Sequence, residues 1–395
     1  MQESVAHFDV AIVGGGLVGL SLAALLGGAG FKIALIEARE PQTDWPVDSI
    51  DMRVYAISRA SQRLLQSTGA WTAIAPWACA YTDMRVWDAG GTGDIHFDSA
   101  ELGEPELGHI IESRVIETAL LAVIRQLPQV LHLCPQTLAA LGEEAGRQRL
   151  SLGDGRQLSA DLLVGADGRH SLVRDFAGIH AVASAYGQHA LVAVVATERE
   201  HAATAWQRFL PTGPLAFLPL RDGQSSIVWS ATSGAAERLL ALDDAAFCQA
   251  LGAAFEQRLG AVTACGERVL FPLVKQYAEH YVAPGIALLG DASHVIHPLA
   301  GQGVNLGFKD VSELAGVLTA ARAQQRAIGS LAVLRRFERA RKGDNLATML
   351  AMDGFKQLFG ATAPPLRWLR NAGLNLVDAT PAVKNAIMRA AMGLA

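Results

Sequence analysis

The stretch "VGGGLVG", Val13 to Gly19, constrains this chain more than any other. It holds a G-x-G-x-x-G pattern at Gly14, Gly16 and Gly19. Before it, Phe8 to Val13 reads as a buried strand. After it, Leu17 to Ala29 reads as a helix and Lys32 to Glu37 as a second strand. Strand, glycine turn, helix and strand make a βαβ unit. Glycines at this spacing permit a tight turn, close approach of backbone to a pyrophosphate, and tight helix–strand packing. The phosphate would sit at the helix N-terminus, where unpaired N–H groups and the helix dipole favour an anion. Glu37 ends the second strand, and a carboxylate roughly 20 residues on suits ribose hydroxyls. The run Val10 to Phe31 carries no charge and is long enough to span a bilayer. Its many glycines and strand-like flanks favour the βαβ reading instead.

A chain of 395 residues exceeds one simple core, so two interleaved domains are expected. Apolar residues make up 51% and charged residues 18%, enough to build a packed interior and too apolar for a disordered chain. A net charge of −5 gives no basic surplus for nucleic acid. Cys79, Cys134, Cys248 and Cys265 form no C-x-x-C pair and suggest neither a disulfide framework nor a zinc knuckle. They are expected as small core residues in a reducing, cytoplasmic protein. "MQESVAHFD" lacks the positive start of a signal peptide.

Farther along, Glu112 to Pro128 has helical apolar spacing. Leu162 to Gly168 and Gly285 to Ala292 read as buried strands ending in turns, and a long helix is expected from near Gly303. Between Ala181 and Tyr281 the texture changes to strands, with "RDGQS", Arg221 to Ser225, as a hairpin turn. "DMRVWD" and "GDIHF" look similar. The expected fold is α/β, α+β overall: a Rossmann-like domain of residues 1–75, 100–180 and 282–350, an inserted, mostly antiparallel sheet domain of residues 76–99 and 181–281, and a C-terminal helical segment, 351–395, broken at "TAPPL" and "ATPAV".

Two further motifs carry chemistry. In "DLLVGADGRHSLVR", Asp167 and Gly168 close a strand at a turn; on spacing alone an Asx-turn satisfying its own backbone is the simpler reading. In "GDASHVIHPLAGQGVNLGFKD", Gly290 to Asp310, Asp291, His294 and His297 recur every third residue, as in a metal box. A metal needs convergent ligands and an open position. Here Asp291 sits at a strand end, Pro298 breaks any helix through His297, and no further ligand is near. Gly301, Gly303 and Gly307 instead bracket a helix start whose N–H groups suit a developing negative charge. No metal is expected.

Together the three motifs resemble the FAD-dependent aromatic hydroxylases of the para-hydroxybenzoate hydroxylase type. "DMRVYAISRAS", "GHIIESRVIETAL", "QRFLPTGPLAFLPL" and "DNLATMLAMDGFKQLF" narrow the resemblance to the ubiquinone-biosynthesis branch, hydroxylases of polyprenylated phenols, from Phe8 to about Gly393. The resemblance implies bound FAD, with NAD(P)H and O₂ as co-substrates. It places Gly14, Gly16 and Gly19 at the pyrophosphate and Glu37, with Arg39 beside it, at the adenosine ribose. Asp167 and Gly168 lie near the pyrophosphate and are linked to NAD(P)H use. Gly290 and Asp291 hold the ribityl chain, Arg53 and Arg114 contact FAD, and Pro298, Gly301, Gln302, Gly303, Val304 and Asn305 lie against the isoalloxazine ring. Reduced flavin would add O₂ to give a C4a-hydroperoxide, attacked by the electron-rich phenol. His297 is the nearest candidate base, behind a structural role for it beside the flavin, and Pro298 is the other catalytic candidate. Ser293 stands where Ala is commoner in the family. The implied partner is a polyprenylated phenol or quinone precursor. Other enzymes on the same fold remain as alternatives: a flavin-dependent reductase or dehydrogenase, and a halogenase, whose W-x-W-x-I-P pattern is absent. So does a non-catalytic FAD-containing scaffold of a membrane biosynthetic complex.

From Arg335 to Ala395 there are ten Lys/Arg against four acids, a surplus of six that leaves −11 on the rest of the chain. Three readings stand side by side: a peripheral contact with the inner membrane through this segment, a surface for other ubiquinone-biosynthesis proteins, and an ordinary solvated helix face. Self-association is open.

Overall fold

A computed structural model describes residues 5–46, 49–296, 303–360 and 364–394. Among them the strands form sheets of eight, nine and three. Ala6–Val13 lies inside the eight-stranded sheet, parallel to Ile33–Ile36 on one side and to Gln157–Gly165 on the other. Val130–Leu133 and Ile286–Leu288 continue the parallel array outward on the two sides. Parallel strands are covered on both faces, so they read as unbroken apolar runs. Ile33 to Ile36 and Leu162 to Val164 are accordingly all buried.

The uncharged run is divided between the strand Ala6–Val13 and a twelve-residue helix, Leu17–Gly28. That helix is apolar all round because it is covered all round. Ser113–Arg125 and Gly303–Ala323 both pack on it. No helix among the described residues is long and apolar enough to cross a membrane.

The expected second sheet is present. Its long strand Ala181–Thr197 pairs antiparallel with Ser225–Thr232 and Val269–Ala278. "RDGQS" closes the hairpin between Gly213–Pro219 and Ser225–Thr232, with Leu220 N–H donating to Gln224 O at 2.9 Å. Asp83–Asp88 and Asp94–Asp98 join the same sheet, the first of them parallel to Thr204–Leu210. One face, with Leu191, Ala193, Leu215, Phe217 and Ile227, is covered by the helices Ser233–Leu240 and Asp244–Ala254. The other face, with Val194, Ala216, Leu218 and Val228, packs on Ala56 and Ile110. Those two belong to a small sheet of Val54–Ser58, Gly108–Glu112 and Cys79–Tyr81 that the sequence did not disclose.

Three helices, Leu331–Gly360, Pro364–Asp378 and Pro381–Met392, lie in the C-terminal part; the break at "ATPAV" is as expected, and the start of "TAPPL" lies outside the described residues. The first runs unbroken through residue 350, where the sequence suggested a domain boundary. The last two dock on the edge strand Asp94–Asp98. Arg370 Nε reaches Asp88 Oδ2 at 2.8 Å, both side chains nearly fully buried, and Lys384 Nζ reaches Glu101 at 2.7 Å. Asn371 Oδ1 accepts the Gly93 N–H at 2.5 Å. One expectation fails: all four cysteines are half-exposed rather than in the core.

Candidate flavin site

The glycine loop is built as its residue types require. Gly14 has φ +106°, and a Cβ there would lie 2.2 Å from the Ala166 carbonyl oxygen. A Cβ on Gly19 would meet the Gly14 carbonyl oxygen at 1.9 Å, so turn and helix touch backbone to backbone. Gly16 differs. It is the N-cap of Leu17–Gly28, no side chain caps that helix, its first turn holds no acid, and a Cβ on Gly16 would meet no protein atom. The helix therefore offers its N–H groups outward, beside a residue that keeps the approach clear.

Gly15, which the motif spacing does not name, is the glycine that touches the strand-end acid. Its N–H donates to Glu37 Oε2 at 2.5 Å, and a Cβ would lie 2.8 Å from Glu37 Cβ. Glu37 Oε1 accepts the Arg39 N–H at 2.8 Å. Two backbone donors thus fix the carboxylate at the mouth of the loop, with lone pairs left for hydroxyl groups. The Arg39 side chain is exposed.

The "GADG" turn backs the loop directly, through the Ala166 contact with Gly14. Asp167 Oδ2 accepts the Val173 N–H at 3.2 Å, so the Asx-type reading is half right. Oδ1 is buried and has no partner among the described residues. Burial pushes this carboxyl up, against hydrogen bonds from Ser171 and Val173. Gly168, at φ +81°, turns the chain away.

Gly290 and Asp291 close the strand Ile286–Leu288. Val18 wedges between Gly290 and Gly307: a Cβ on Gly307 would lie 2.7 Å from Val18 Cγ2, and one on Gly290 3.2 Å. The starts of the helices Leu17–Gly28 and Gly303–Ala323 are thereby drawn against the same turn. Asp310, wholly buried, fixes it. Its Oδ2 accepts the Gly290 N–H at 3.1 Å and faces His294 Nε2 at 2.5 Å, while Oδ1 takes Arg341 Nε at 2.8 Å. Burial alone would raise the Asp310 carboxyl, but the charges and hydrogen bonds of His294 and Arg341 outweigh it and hold it below the usual range. Neither Asp310 nor Arg341 stood out in the sequence. His294 is thus an internal partner of Asp310. Among the described residues no three His, Cys, Asp or Glu are placed to hold a metal.

Asp291 is solvent-accessible although protein surrounds it on most sides, as in the floor of a cleft. This surrounding mass raises its carboxyl, against the lowering charges of His294, Arg169 and Arg53. Tyr55 has its phenol pushed up by burial and then by the charge of Asp291. Arg53 is exposed and lies over the Phe271 ring at 5.9 Å. Arg114 is committed inward: it bonds Ser49 Oγ at 2.8 Å and the Ser49 carbonyl, pairs with Glu112 at 2.6 Å, and stacks on Trp45. Gly303 opens its helix with space at its Cβ position, and Val304 is half-buried beside it. The Asn305 side chain is spent on the fold, donating to Ala56 O at 2.7 Å and accepting from Ser58 N–H and Ser61 Oγ. Only its backbone remains for a ligand. His297, Pro298, Gly301 and Gln302 lie outside the described residues.

These features fit FAD. An uncapped helix start with a clear approach suits a pyrophosphate, the twice-anchored Glu37 suits a ribose, and the Asp291 carboxylate in its cleft suits a hydroxylated chain. The orphaned Asp167 Oδ1 is a further acceptor beside them.

Comparison with known proteins agrees. The FAD binding domain family model matches residues 7–341. The chain is 39% identical over 387 residues to the 3-demethoxyubiquinol 3-hydroxylase of Escherichia coli, covering 98% of each. It is 37% identical to the mitochondrial ubiquinone biosynthesis monooxygenase COQ6 of Danio rerio, covering 96% of this chain and 89% of that one. Among solved structures, the crystal structure of PqsL, a probable FAD-dependent monooxygenase from Pseudomonas aeruginosa, superimposes with a TM-score of 0.79 over 93% of this chain and 99% of that one, at 24% identity, a likeness of fold. The chain therefore belongs to the FAD binding domain family and, within it, to the FAD-dependent hydroxylases of the ubiquinone-biosynthesis branch, as an aromatic-ring monooxygenase.

Proposed function

We propose that the protein hydroxylates the aromatic ring of a polyprenylated phenol or quinol intermediate of ubiquinone biosynthesis, using NAD(P)H and O₂. The observation that carries this reading is near end-to-end similarity to an enzyme named for such a reaction, on a chain whose own residues fit FAD. Bound FAD, reduced by NAD(P)H, supplies the oxygen-transfer chemistry. The chain's part is to bind and orient. The glycine loop and Glu37 take the dinucleotide end, Arg39, Arg53 and Arg114 belong to its surroundings, and Asp291 takes the ribityl chain. The helix starting at Gly303 puts positive dipole where negative charge develops. The apolar layer of Val194, Ala216, Leu218 and Val228 excludes water from the ring. Deleting the gene tests the reading. A ubiquinone precursor lacking one ring oxygen should accumulate, as seen by mass spectrometry, and an unchanged quinone pool would overturn it.

The C-terminal surface supports contact with an anionic membrane face, where such a substrate resides. Trp368, Leu376 and Leu350 are 72%, 67% and 61% exposed, and Leu346, Phe355, Val383 and Ile387 are also exposed. Of the cations, Arg341, Arg370 and Lys384 are consumed internally, while Arg335, Arg336, Arg339 and Arg389 face solvent. Each cation near an anionic surface contributes about 1 kcal/mol. Flotation with anionic liposomes should fall when Leu350, Trp368 and Leu376 are changed to Ser. Equal partitioning of variant and parent would contradict the contact. A truncation is a poorer probe, because it also removes Arg370 from Asp88.

A further inference from the structure

The outer face of the nine-stranded sheet, turned away from Ala56 and Ile110, holds a pair of thiols. Cys265 ends the short strand Val262–Cys265 and stands opposite Val195. Directly opposed residues point to the same side, and Val195 packs beneath the outer helices, so Cys265 points at them too. Cys248 lies on the helix Asp244–Ala254, next to Phe247 of that same layer. Arg268 clamps helix and strand end together. Its guanidinium donates to Leu242 O at 2.7 Å, pairs with Asp244 at 2.9 Å and lies over the Phe247 ring at 4.9 Å.

The clamp brings the two thiols into contact, the Cys265 S–H donating to the Cys248 sulfur. Both residues line one cavity of about 630 Å³, with the helix as one wall and the strand as the other. Gln249, Thr263 and Ala264 of its lining are exposed and both cysteines are half-exposed, so a small solute reaches the pair from solvent. Asp244, the carboxylate of the lining, is paired with Arg268. Among the described residues no third group joins the thiols as a metal ligand. What remains is thiol chemistry.

We propose that Cys248 and Cys265 are a peroxide-oxidised dithiol, closing to a reversible disulfide that ties the outer helix to the strand. Sulfurs already in contact can be joined by side-chain rotation, with helix and strand left in place. Hydrogen peroxide is the oxidant. The Cys248 sulfur attacks one peroxide oxygen: an S–O bond forms, the O–O bond breaks, and the leaving hydroxide takes the thiol proton to become water. The Cys265 sulfur then attacks the Cys248 sulfenic acid. The S–S bond forms, the S–O bond breaks, and the departing oxygen takes the Cys265 proton and leaves as a second water. The thiols lose two electrons and the peroxide gains them. Burial, and then the hydrogen bond to Cys248, push the Cys265 thiol up to about 11. A thiol held protonated is the poorer nucleophile, so Cys248 attacks first and Cys265 resolves.

The test uses the full chain loaded with FAD, fully reduced and then treated with hydrogen peroxide. Wild type should lose two of its four thiols to alkylation in denaturant. Mass spectrometry should find a peptide pair joining Cys248 to Cys265, and dithiothreitol should restore both thiols. Cys248→Ser should form no bridge and keep Cys265 as a thiol. Cys265→Ser should stop at a Cys248 sulfenic acid, trapped by dimedone. A second measurement needs no variant: phenylarsine oxide, which takes neighbouring thiols in pairs, should shield Cys248 and Cys265 from alkylation and leave Cys79 and Cys134 open. Retention of all four thiols would overturn the proposal. So would oxidation of Cys248 or Cys265 without a bridge, a bridge that includes Cys79 or Cys134, or one that joins two chains.

Discussion

His294 Nε2 and Asp310 Oδ2 lie 2.5 Å apart, with both side chains shielded from water. This contact gives His294, one of the residues in the metal-like "GDASHVIHP" spacing, an internal partner. Asp310 also holds the Gly290 N–H and Arg341, so one buried carboxylate ties the Gly290 turn to two long helices.

Asp310→Asn should cost about 3–5 kcal/mol of stability, because it leaves Arg341 buried beside a neutral group. It should also weaken FAD binding, since the Gly290 turn loses its anchor. The folded carboxyl lies below its unfolded value. Its contribution is therefore present above about pH 4 and lost as pH falls through the lowered value. Urea melts of both proteins across acid pH check this: the gap between them should close on acidification.

Asp291 has the opposite sign. Its carboxyl is raised in the fold, so the group contributes fully only below its unfolded value, and that contribution is lost as pH rises through the raised one. Asp291→Asn should therefore stabilise the FAD-free protein at neutral pH while weakening its FAD binding. Melting temperature and a flavin titration read the two effects separately. A variant that lost both would mean Asp291 supports the fold.

Gly16→Ala separates cofactor from fold in the same way. Gly16 has φ −73° and open space at its Cβ position, so the alanine variant should melt like wild type without FAD. It should bind FAD about tenfold more weakly or worse, because the methyl group occupies the pyrophosphate approach. Gly14→Ala should fail to reach the folded state, with its Cβ set against Ala166 and a φ that alanine resists.

Arg370→Ala removes the charged partner of buried Asp88, leaving it only the Asn371 amide among the described residues, and should destabilise the whole chain by about 3–5 kcal/mol. A cooperative shift of the full melt, rather than an early separate transition, is expected if the terminal helices dock as part of the sheet domain.

The parts legible in the sequence were those written locally. The strand–glycine–helix start, the buried strand before Asp167 and the "RDGQS" hairpin each carry their pattern within a few residues. The small sheet and the clasp of Asn305 on Ser58 were illegible, because their partners lie far apart in the chain and periodicity carries no such pairing. Arg370 and Asp88 are 282 positions apart, so a docked helix read as a free basic one. Gly15 was passed over because the motif names its neighbours, although the structure puts it on Glu37. The cysteines were misplaced because a buried average says nothing of where four particular residues fall.

The central claim is ring oxygenation, and the direct measurement is isotope incorporation. The FAD-loaded protein is supplied with NAD(P)H, a prenylated phenol and ¹⁸O₂, and the phenol is analysed by mass spectrometry. The account predicts NAD(P)H oxidation stimulated by the phenol and one ¹⁸O atom in the product ring. Phenol-stimulated oxidation that ends in hydrogen peroxide or a reduced product, with no label in the ring, would contradict it.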